Sequence, residues 1–505
     1  MSAAWPWLLE QVAMPAAAAL TPHRAWRYFQ EYERADRDEP AAREARVLCR
    51  LQELIAHAYD RVLLYRDKMQ GAGIEPTDIR SLDDLRRIPV TTRHELREAF
   101  PHRAIARGHE DHSLRYSNTS GTTGRPLMLV QDVEDINHKY AVRLRARAMY
   151  GSRLGERTLR TTPNECQPCL AHGDELRGGW LGNLGALLAR SGVLAPEHFV
   201  VLEQKIVKPL FHRRRKLDPL GPDELGPARF EQILAELERY GPALWVTYPL
   251  YAYLMARHVR RSGRRVPRVG AIDLSGGVAS SVMRETISEV FGAPCYEGYG
   301  ACELGRYAGE CEIRPGLVHV VEDHCVNEVL RPDGEPAAEG ELGNHIVTGL
   351  TSFAMPIIRL EQGDVVVDHG RGCACGRTTR CIDVRGRIQT LVRMPGGRVA
   401  AEKDLLDALL PAPGVEIFQL LQREEARFEL HAVPEPGAAP DARDLIKRVR
   451  GVLGADAEVE VRTVDQIAQE GSGKYMHVKS RSYDRFRCVS SEQLAGDRYT
   501  VRHAH

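Results

Sequence analysis

A chain of 505 residues exceeds what one hydrophobic core usually supports, so at least two domains are expected. Hydrophobic residues at 43% and charged residues at 27% exclude wholesale disorder, and 69 basic against 69 acidic residues leave no net charge to draw the whole protein onto nucleic acid or a membrane. Taken in chain order, the opening "MSAAWPWLLEQVAMPAAAALTP" is mildly apolar, but Glu10, Pro6 and Pro15 interrupt it and no basic region precedes it. Neither a secretory leader nor a membrane-spanning run is therefore expected. Eleven cysteines without an export signal favour reduced thiols or a metal site over a disulfide framework, and the expected location is the cytoplasm.

From Arg43 to Met69 apolar residues recur at helical spacing, with Leu48, Leu51, Leu54, Ile55 and Ala58 on one side, which predicts an amphipathic helix. "YSNTSGTTGRPLMLV", Tyr116 to Val130, then packs hydroxyls and glycines between apolar ends. It is not a Walker loop, because two residues separate Gly121 from Gly124 and Pro126 follows Arg125. Its glycines still let backbone N–H groups approach an anion, and its hydroxyls add donors; by composition alone an ordinary turn is the commoner reading. Cys166-Gln167-Pro168-Cys169 lacks the surroundings of a redox motif, and the basic run "FHRRRKL" from Phe211 is read as solvated surface.

After Gly221 a rhythm sets in: a helix around Phe230, "ALWVT", a helix from Tyr251, "AIDLS", a helix from Val282, then "APCYE". Short apolar strands alternating with helices predict an α/β fold with a parallel sheet. Ligands of such sheets bind beyond the carboxyl ends of the strands, here Thr247-Tyr248, Ser275-Gly276-Gly277 and Glu297-Gly298-Tyr299-Gly300. Beyond about Arg385, "VEIFQLLQ" and "ARFELHAV" predict paired strands, "DARDLIKRVRGVL" a helix and "AEVEVRTV" another strand. This is a small α+β unit. No internal repeat is found.

Four motifs in fixed order carry a resemblance. "YSNTSGTTGRP" resembles the phosphate-binding signature of adenylate-forming enzymes, "YGACE" (Tyr299 to Glu303) their Tyr-Gly-x-Thr-Glu element, "RLEQGD" (Arg359 to Asp364) the element ending in a ribose-binding aspartate, and "GSGKYMHVKSR" the segment with the catalytic lysine. The stretch from His57 to Pro101 and "CACGRTTRCIDVRGR" are similar to the phenylacetate-CoA ligase branch. The resemblance implies a large N-terminal α/β domain (1–385), a small mobile α+β C-terminal lid (386–490) and a polar tail (491–505). It implies ATP-dependent activation of a carboxylic acid, aryl or small and hydrophobic, to an acyl-adenylate, followed by transfer to a thiol, coenzyme A first. A carrier-protein thiol, an amine acceptor, or a catalytically silent nucleotide-binding paralogue are the alternatives. No nucleic acid or membrane partner is expected, and a homodimer is left open.

Residue by residue, the resemblance implies that Thr119, Ser120, Gly121, Thr122, Thr123 and Gly124 hold the β- and γ-phosphates and that Glu303 holds Mg2+, an oxygen-seeking ion suited to phosphates. Adenine would lie against Tyr299 and Gly300 near Glu297, Asp364 would bind the ribose, and Arg387 would add a contact from the hinge. Lys474 would reach both the substrate carboxylate and the α-phosphate, and the acid would lie near Tyr248, Gly276, Gly277 and Asn164. Cys311, His319, Cys373 and Cys375 are the expected ligands of a structural zinc ion, as in some relatives of that branch, with Cys302 and Cys381 as substitutes. The sequence departs from the pattern at Arg125, Cys302 and Gln389 and in "RMPGGRVAAEKD", which leaves the acyl acceptor open.

Overall fold

The computed structural model describes residues 4–16, 24–109, 115–118, 127–161, 213–217, 225–470, 474–481, 486–489 and 493. Near the N-terminus lie α1 (Ala25–Ala35), α2 (Pro40–Arg61), α3 (Leu63–Gly71) and α4 (Arg93–Ala99). The expected single helix over 43–69 is thus two. Val62 adopts extended backbone between them, and the Leu64 amide turns to the carbonyl of Arg103. The apolar stripe Val47, Leu51, Leu54, Ile55, Ala58 continues into Leu64, Tyr65 and Met69, so one buried face survives the break. Thr92 and Glu95 close a reciprocal capping box at the start of α4, which fixes where Arg93 emerges.

The hairpin of β1 (Arg115–Asn118) and β2 (Met128–Gln131) leads into α5 (Val133–Ala148). The large sheet takes β3 (Thr158–Thr161), β4 (Arg214–Lys216), β5 (Leu244–Thr247), β6 (Ala271–Leu274), β7 (Cys295–Ala301), β8 (Gly305–Glu310), β9 (Val318–Val320), β10 (Cys325–Leu330), β11 (Leu342–Gly349), β12 (Leu360–Asp368) and β13 (Cys381–Arg387). Their order across the sheet is β10-β11-β12-β13-β9-β8-β7-β6-β5-β3-β4. From β4 to β7 neighbours run parallel; from β7 onward they run antiparallel. The helices α6 (Pro227–Tyr240), α7 (Pro249–Ser262) and α8 (Ser281–Phe291) connect the parallel strands, and each stops at a glycine in left-handed conformation, Gly241, Gly263 and Gly292.

A further two-stranded sheet pairs β14 (Val392–Arg393) with β15 (Val399–Ala400), and a four-stranded sheet takes the order β18-β17-β16-β19 from β16 (Val415–Gln422), β17 (Arg427–Pro434), β18 (Glu458–Thr463) and β19 (Val478–Lys479). Two helices accompany them, α9 (Glu402–Leu409) and α10 (Ala442–Leu453), the latter burying Leu445, Val449 and Leu453 at helical spacing. One continuous hydrophobic cluster runs from Leu250, Met255 and Met283 on α7 and α8 to Leu405, Leu409, Phe418 and Leu420 on the small sheet side. Among the described residues no helix is long and apolar enough to cross a membrane.

Candidate active site and metal cluster

Because β5, β6 and β7 lie side by side in parallel register, with Thr247 opposite Leu274 and Leu274 opposite Glu297, their carboxyl ends open on one edge of the sheet. Gly276 has φ +88°, and a β-carbon there would stand 3.9 Å from both Lys474 Nζ and the Tyr248 ring. A β-carbon on Gly277 would overlap that ring. Tyr248, Gly276, Gly277 and Lys474 are therefore close neighbours, and a larger residue at position 277 would strike the ring. Burial holds the Tyr248 phenol neutral by pushing its pKa far up. Glu297 accepts from the Ala279 amide at 3.3 Å and faces Arg284 at 3.6 Å; burial raises its carboxyl above the usual range.

The β6 end is held from beneath. Asp273, fully buried, accepts from Ser275 Oγ at 2.9 Å, from Tyr150 at 3.0 Å and from both terminal nitrogens of Arg306. Burial alone would raise its pKa, but Arg306 outweighs that and brings it down to about 2. Arg306 crosses β7 at Gly298, where a β-carbon would collide with the guanidinium.

Asp364 stands opposite Arg387 in the β12–β13 register and pairs with it at 2.9 Å. The Tyr299 hydroxyl donates to Asp364 Oδ2 at 2.7 Å and lies 2.9 Å from His345 Nδ1. Lys474 adjoins this group: burial and then the Arg387 charge lower its pKa to about 8, while Cys302 and Asp364 act the other way. Gly300 admits a tight approach, since a β-carbon would run into the Gly305 backbone. Just beyond it Glu303 is 1% exposed and reaches Arg93 at 2.7 Å through Oε1. Its Oε2 has no hydrogen-bond partner among the described residues. A buried carboxylate oxygen without a donor suits a hard cation.

The cysteine and histidine side chains named above converge. The ligand atoms of Cys311, His319, Cys373 and Cys375 all lie within 4.8 Å of one another. Cys311 and Cys373 sulfurs are 3.7 Å apart, Cys375 Sγ is 3.5 Å from His319 Nε2, and Thr379 Oγ1 is 3.1 Å from His319 Nδ1. Burial lowers the His319 pKa to about 3, so the ring is neutral. Cys375 is pushed up by burial, but hydrogen bonds from Arg377 outweigh this and leave it below the usual thiol range. Three sulfurs and an imidazole nitrogen at that spacing, with the second ring nitrogen anchored, form a donor set that fits tetrahedral zinc. Cys381 adjoins the group, 3.5 Å from His319 Nδ1; Cys302 sits instead beside Glu303.

Thr119, Ser120, Gly121, Thr122, Thr123 and Gly124 lie outside the described residues, as do Asn164, Cys166 and Cys169. The rest of the expected set divides into two places: Tyr248, Gly276, Gly277, Glu297, Tyr299, Gly300, Glu303, Asp364, Arg387 and Lys474 at or near the strand ends, and the four metal candidates on the antiparallel side. Sequence reasoning missed Arg93, His345 and Asp273. Arg93 had a local signal, the Thr92-x-x-Glu95 capping box that sets it at the first helical position, but nothing local joins it to Glu303.

No protein-family model matches the chain. It is 28% identical over 412 residues to the phenylacetate-coenzyme A ligase of Thermus thermophilus, covering 79% of this chain and 82% of that protein. To the Escherichia coli phenylacetate-coenzyme A ligase it is 27% identical over 392 residues, 75% of each. Among solved structures, 2-hydroxyisobutyryl-CoA ligase in the postadenylation state with an acyl-AMP superposes with a TM-score of 0.67 at 21% identity, covering 90% of this chain and 93% of that one. The same enzyme in the thioesterification state with acyl-AMP and CoA gives 0.55 at 22% identity, covering 89% and 91%. The chain thus has the adenylate-forming fold and is similar, over some three-quarters of its length, to phenylacetate-coenzyme A ligases.

Proposed function

We propose that this protein activates a carboxylic acid with ATP and then forms a thioester. The substrate carboxylate oxygen attacks the α-phosphorus, the bond to pyrophosphate breaks, and a thiol then attacks the acyl carbon and expels AMP. Two anions must meet in the first step, so the barrier is set by how well fixed cations neutralise charge there. The observation that carries the reading is the position of Lys474, beside Gly276 and Tyr248 on one side and within the field of Arg387 and Asp364 on the other. An ammonium there can touch an acid held against Gly276 and Gly277 and an α-phosphate whose ribose is held by Asp364.

The acid would lie beside the buried Tyr248, and aryl or small hydrophobic acids are the proposed substrates. Tyr299 and Glu297 would border adenine, and Thr119 to Gly124 would cradle the β- and γ-phosphates. Mg2+, held by Glu303, would supply charge neutralisation beside the phosphates. Zinc at Cys311, His319, Cys373 and Cys375 would be structural, tying the segment after β8 to the one before β13. Coenzyme A is the favoured acceptor, in line with the names of the relatives, and the free thiols fit a cytoplasmic protein.

ATP–pyrophosphate exchange across a panel of carboxylic acids tests the first step, and supplying coenzyme A, a carrier-protein thiol or an amine tests the second. Exchange with an aryl or short-chain acid and thioester with coenzyme A is the expected result. No exchange with any acid would leave a silent nucleotide-binding protein, and product with an amine alone would reassign the second step.

A further inference from the structure

Residues 486–489 pack against the large sheet. Phe486 packs with Val365, Ile388, Leu391 and Ala401, beside Asp364 and Arg387, and its carbonyl accepts from Asn344 at 2.6 Å. Arg487 and Glu361 form a bidentate pair in which the side chains are 1% and 3% exposed. Cys488 and Val489 pack against Val90, Leu330 and Ile346. Gln493 donates to the Val90 carbonyl at 2.8 Å and to Glu95 Oε2 at 3.0 Å, the same oxygen that takes the Thr92 amide in the capping box of α4.

These contacts close a ring. The Thr91 amide donates to the Arg359 carbonyl at 2.8 Å and the Glu361 amide to the Thr91 carbonyl at 2.9 Å, so the Val90–Thr92 segment is clamped between β12 and the returning chain. One end of this block is β12, where Asp364 lies three residues after Glu361; the other is α4, whose first residue Arg93 faces Glu303. A surface tail would need neither a desolvated charge pair nor a shared carboxylate. Removing water from both members of a charge pair is unfavourable unless geometry and partners are good, and this bidentate pair meets that condition.

We propose that Arg487 and Gln493 are positioning residues for the nucleotide: Arg487 acts through Glu361 on Asp364, and Gln493 acts through Glu95 on Arg93 and Glu303. Residues 486–489 and Gln493 then hold the ribose and magnesium carboxylates in place. This rests on the adenylating reading of the site, and its test is separable from it, because MgATP binding can be measured without turnover.

The experiment compares four full-length proteins: the parent, Arg487→Lys, Gln493→Ala, and the double substitution Glu361→Leu with Arg487→Met. The last removes both charges of the Arg487–Glu361 pair together. Binding of MgATP is titrated calorimetrically at several Mg2+ concentrations, and exchange kinetics give KM and kcat separately. Expected is a roughly five-fold or greater weakening of MgATP binding in the double variant, with KM raised, kcat near the parent value and the Mg2+ requirement shifted upward in Gln493→Ala. Arg487→Lys, which keeps the charge but loses the fork, should fall between parent and double variant. MgATP affinity and Mg2+ dependence within about two-fold of the parent in folded variants would overturn the proposal and leave only a structural role. If the double variant does not fold, Arg487→Lys and Gln493→Ala carry the same threshold. A parent without exchange but with MgATP binding would defeat the functional reading and still decide this one.

Discussion

The Tyr299 hydroxyl donates to Asp364 across 2.7 Å, although β7 and β12 are four strands apart in the order of the large sheet. In a flat sheet that separation would be roughly 19 Å. The antiparallel half must therefore curl back on itself, bringing the end of the parallel half against β12. Tyr299 near the end of β7 and the carboxylate on β12 meet only because of this curl.

Asp364→Ala should raise KM for ATP by about ten-fold to a hundred-fold, the range for hydrogen bonds to a charged group, with a smaller effect on kcat. Tyr299→Phe alone should do less. A double-mutant cycle of the two checks the link: a coupling energy indistinguishable from zero would mean that the 2.7 Å contact does not position the carboxylate.

Lys474→Ala should reduce adenylate formation by at least about a thousand-fold, as expected for loss of a transition-state cation, while leaving MgATP binding and thermal unfolding close to the parent. The pH dependence gives a second measurement. With the Lys474 pKa lowered to about 8, the ammonium is present below that pH and lost above it. The alkaline limb of kcat/KM for ATP should therefore fall near pH 8, well below an ordinary lysine, and should vanish in Lys474→Arg. A profile flat to pH 10 would remove Lys474 from the role.

Glu303→Gln keeps the shape of the side chain and removes its charge. It should raise the Mg2+ concentration needed for half-maximal exchange about ten-fold, and Arg93 should be left with a weaker partner. Magnesium titration of exchange activity reads this directly; an unchanged midpoint would detach Glu303 from the metal.

Protein purified without chelator should contain one zinc per chain. Cys311→Ser should lower both the zinc content and the unfolding temperature, since a bound structural ion stabilises the folded state by its own binding energy. Elemental analysis with a thermal scan decides. Loss of the metal without a fall in unfolding temperature would argue against a structural role.

Much of the fold was legible where one physical signal dominated. The alternation of "ALWVT", "AIDLS" and "APCYE" with amphipathic helices located β5, β6 and β7, and period-two alternation with a capped helix located β16, β17, α10 and β18. The strands from β9 to β13 were not legible. Buried on both faces, β11 and β12 carry Asn344, His345, Glu361, Gln362 and Asp364 inside, so neither alternation nor an apolar run marks them. The site residues were reached through motifs. Those that no motif covers, Arg93, His345, Asp273 and Arg487, depend on partners from 33 to 210 positions away, Asp273 on Arg306 at the near end and Arg93 on Glu303 at the far end, and no local pattern encodes such distances.

The strand order also constrains how the polypeptide is made. β13 lies between β12 and β9, both of which leave the ribosome before it. A nascent chain from which β12 (to Asp368) but not β13 (Cys381–Arg387) has emerged therefore presents two open edges able to pair with the wrong neighbour, and a ribosome stalled in that interval should deliver an aggregating product. Only when "CIDVRGR" emerges can both edges close, and the same strand brings Arg387 to face Asp364.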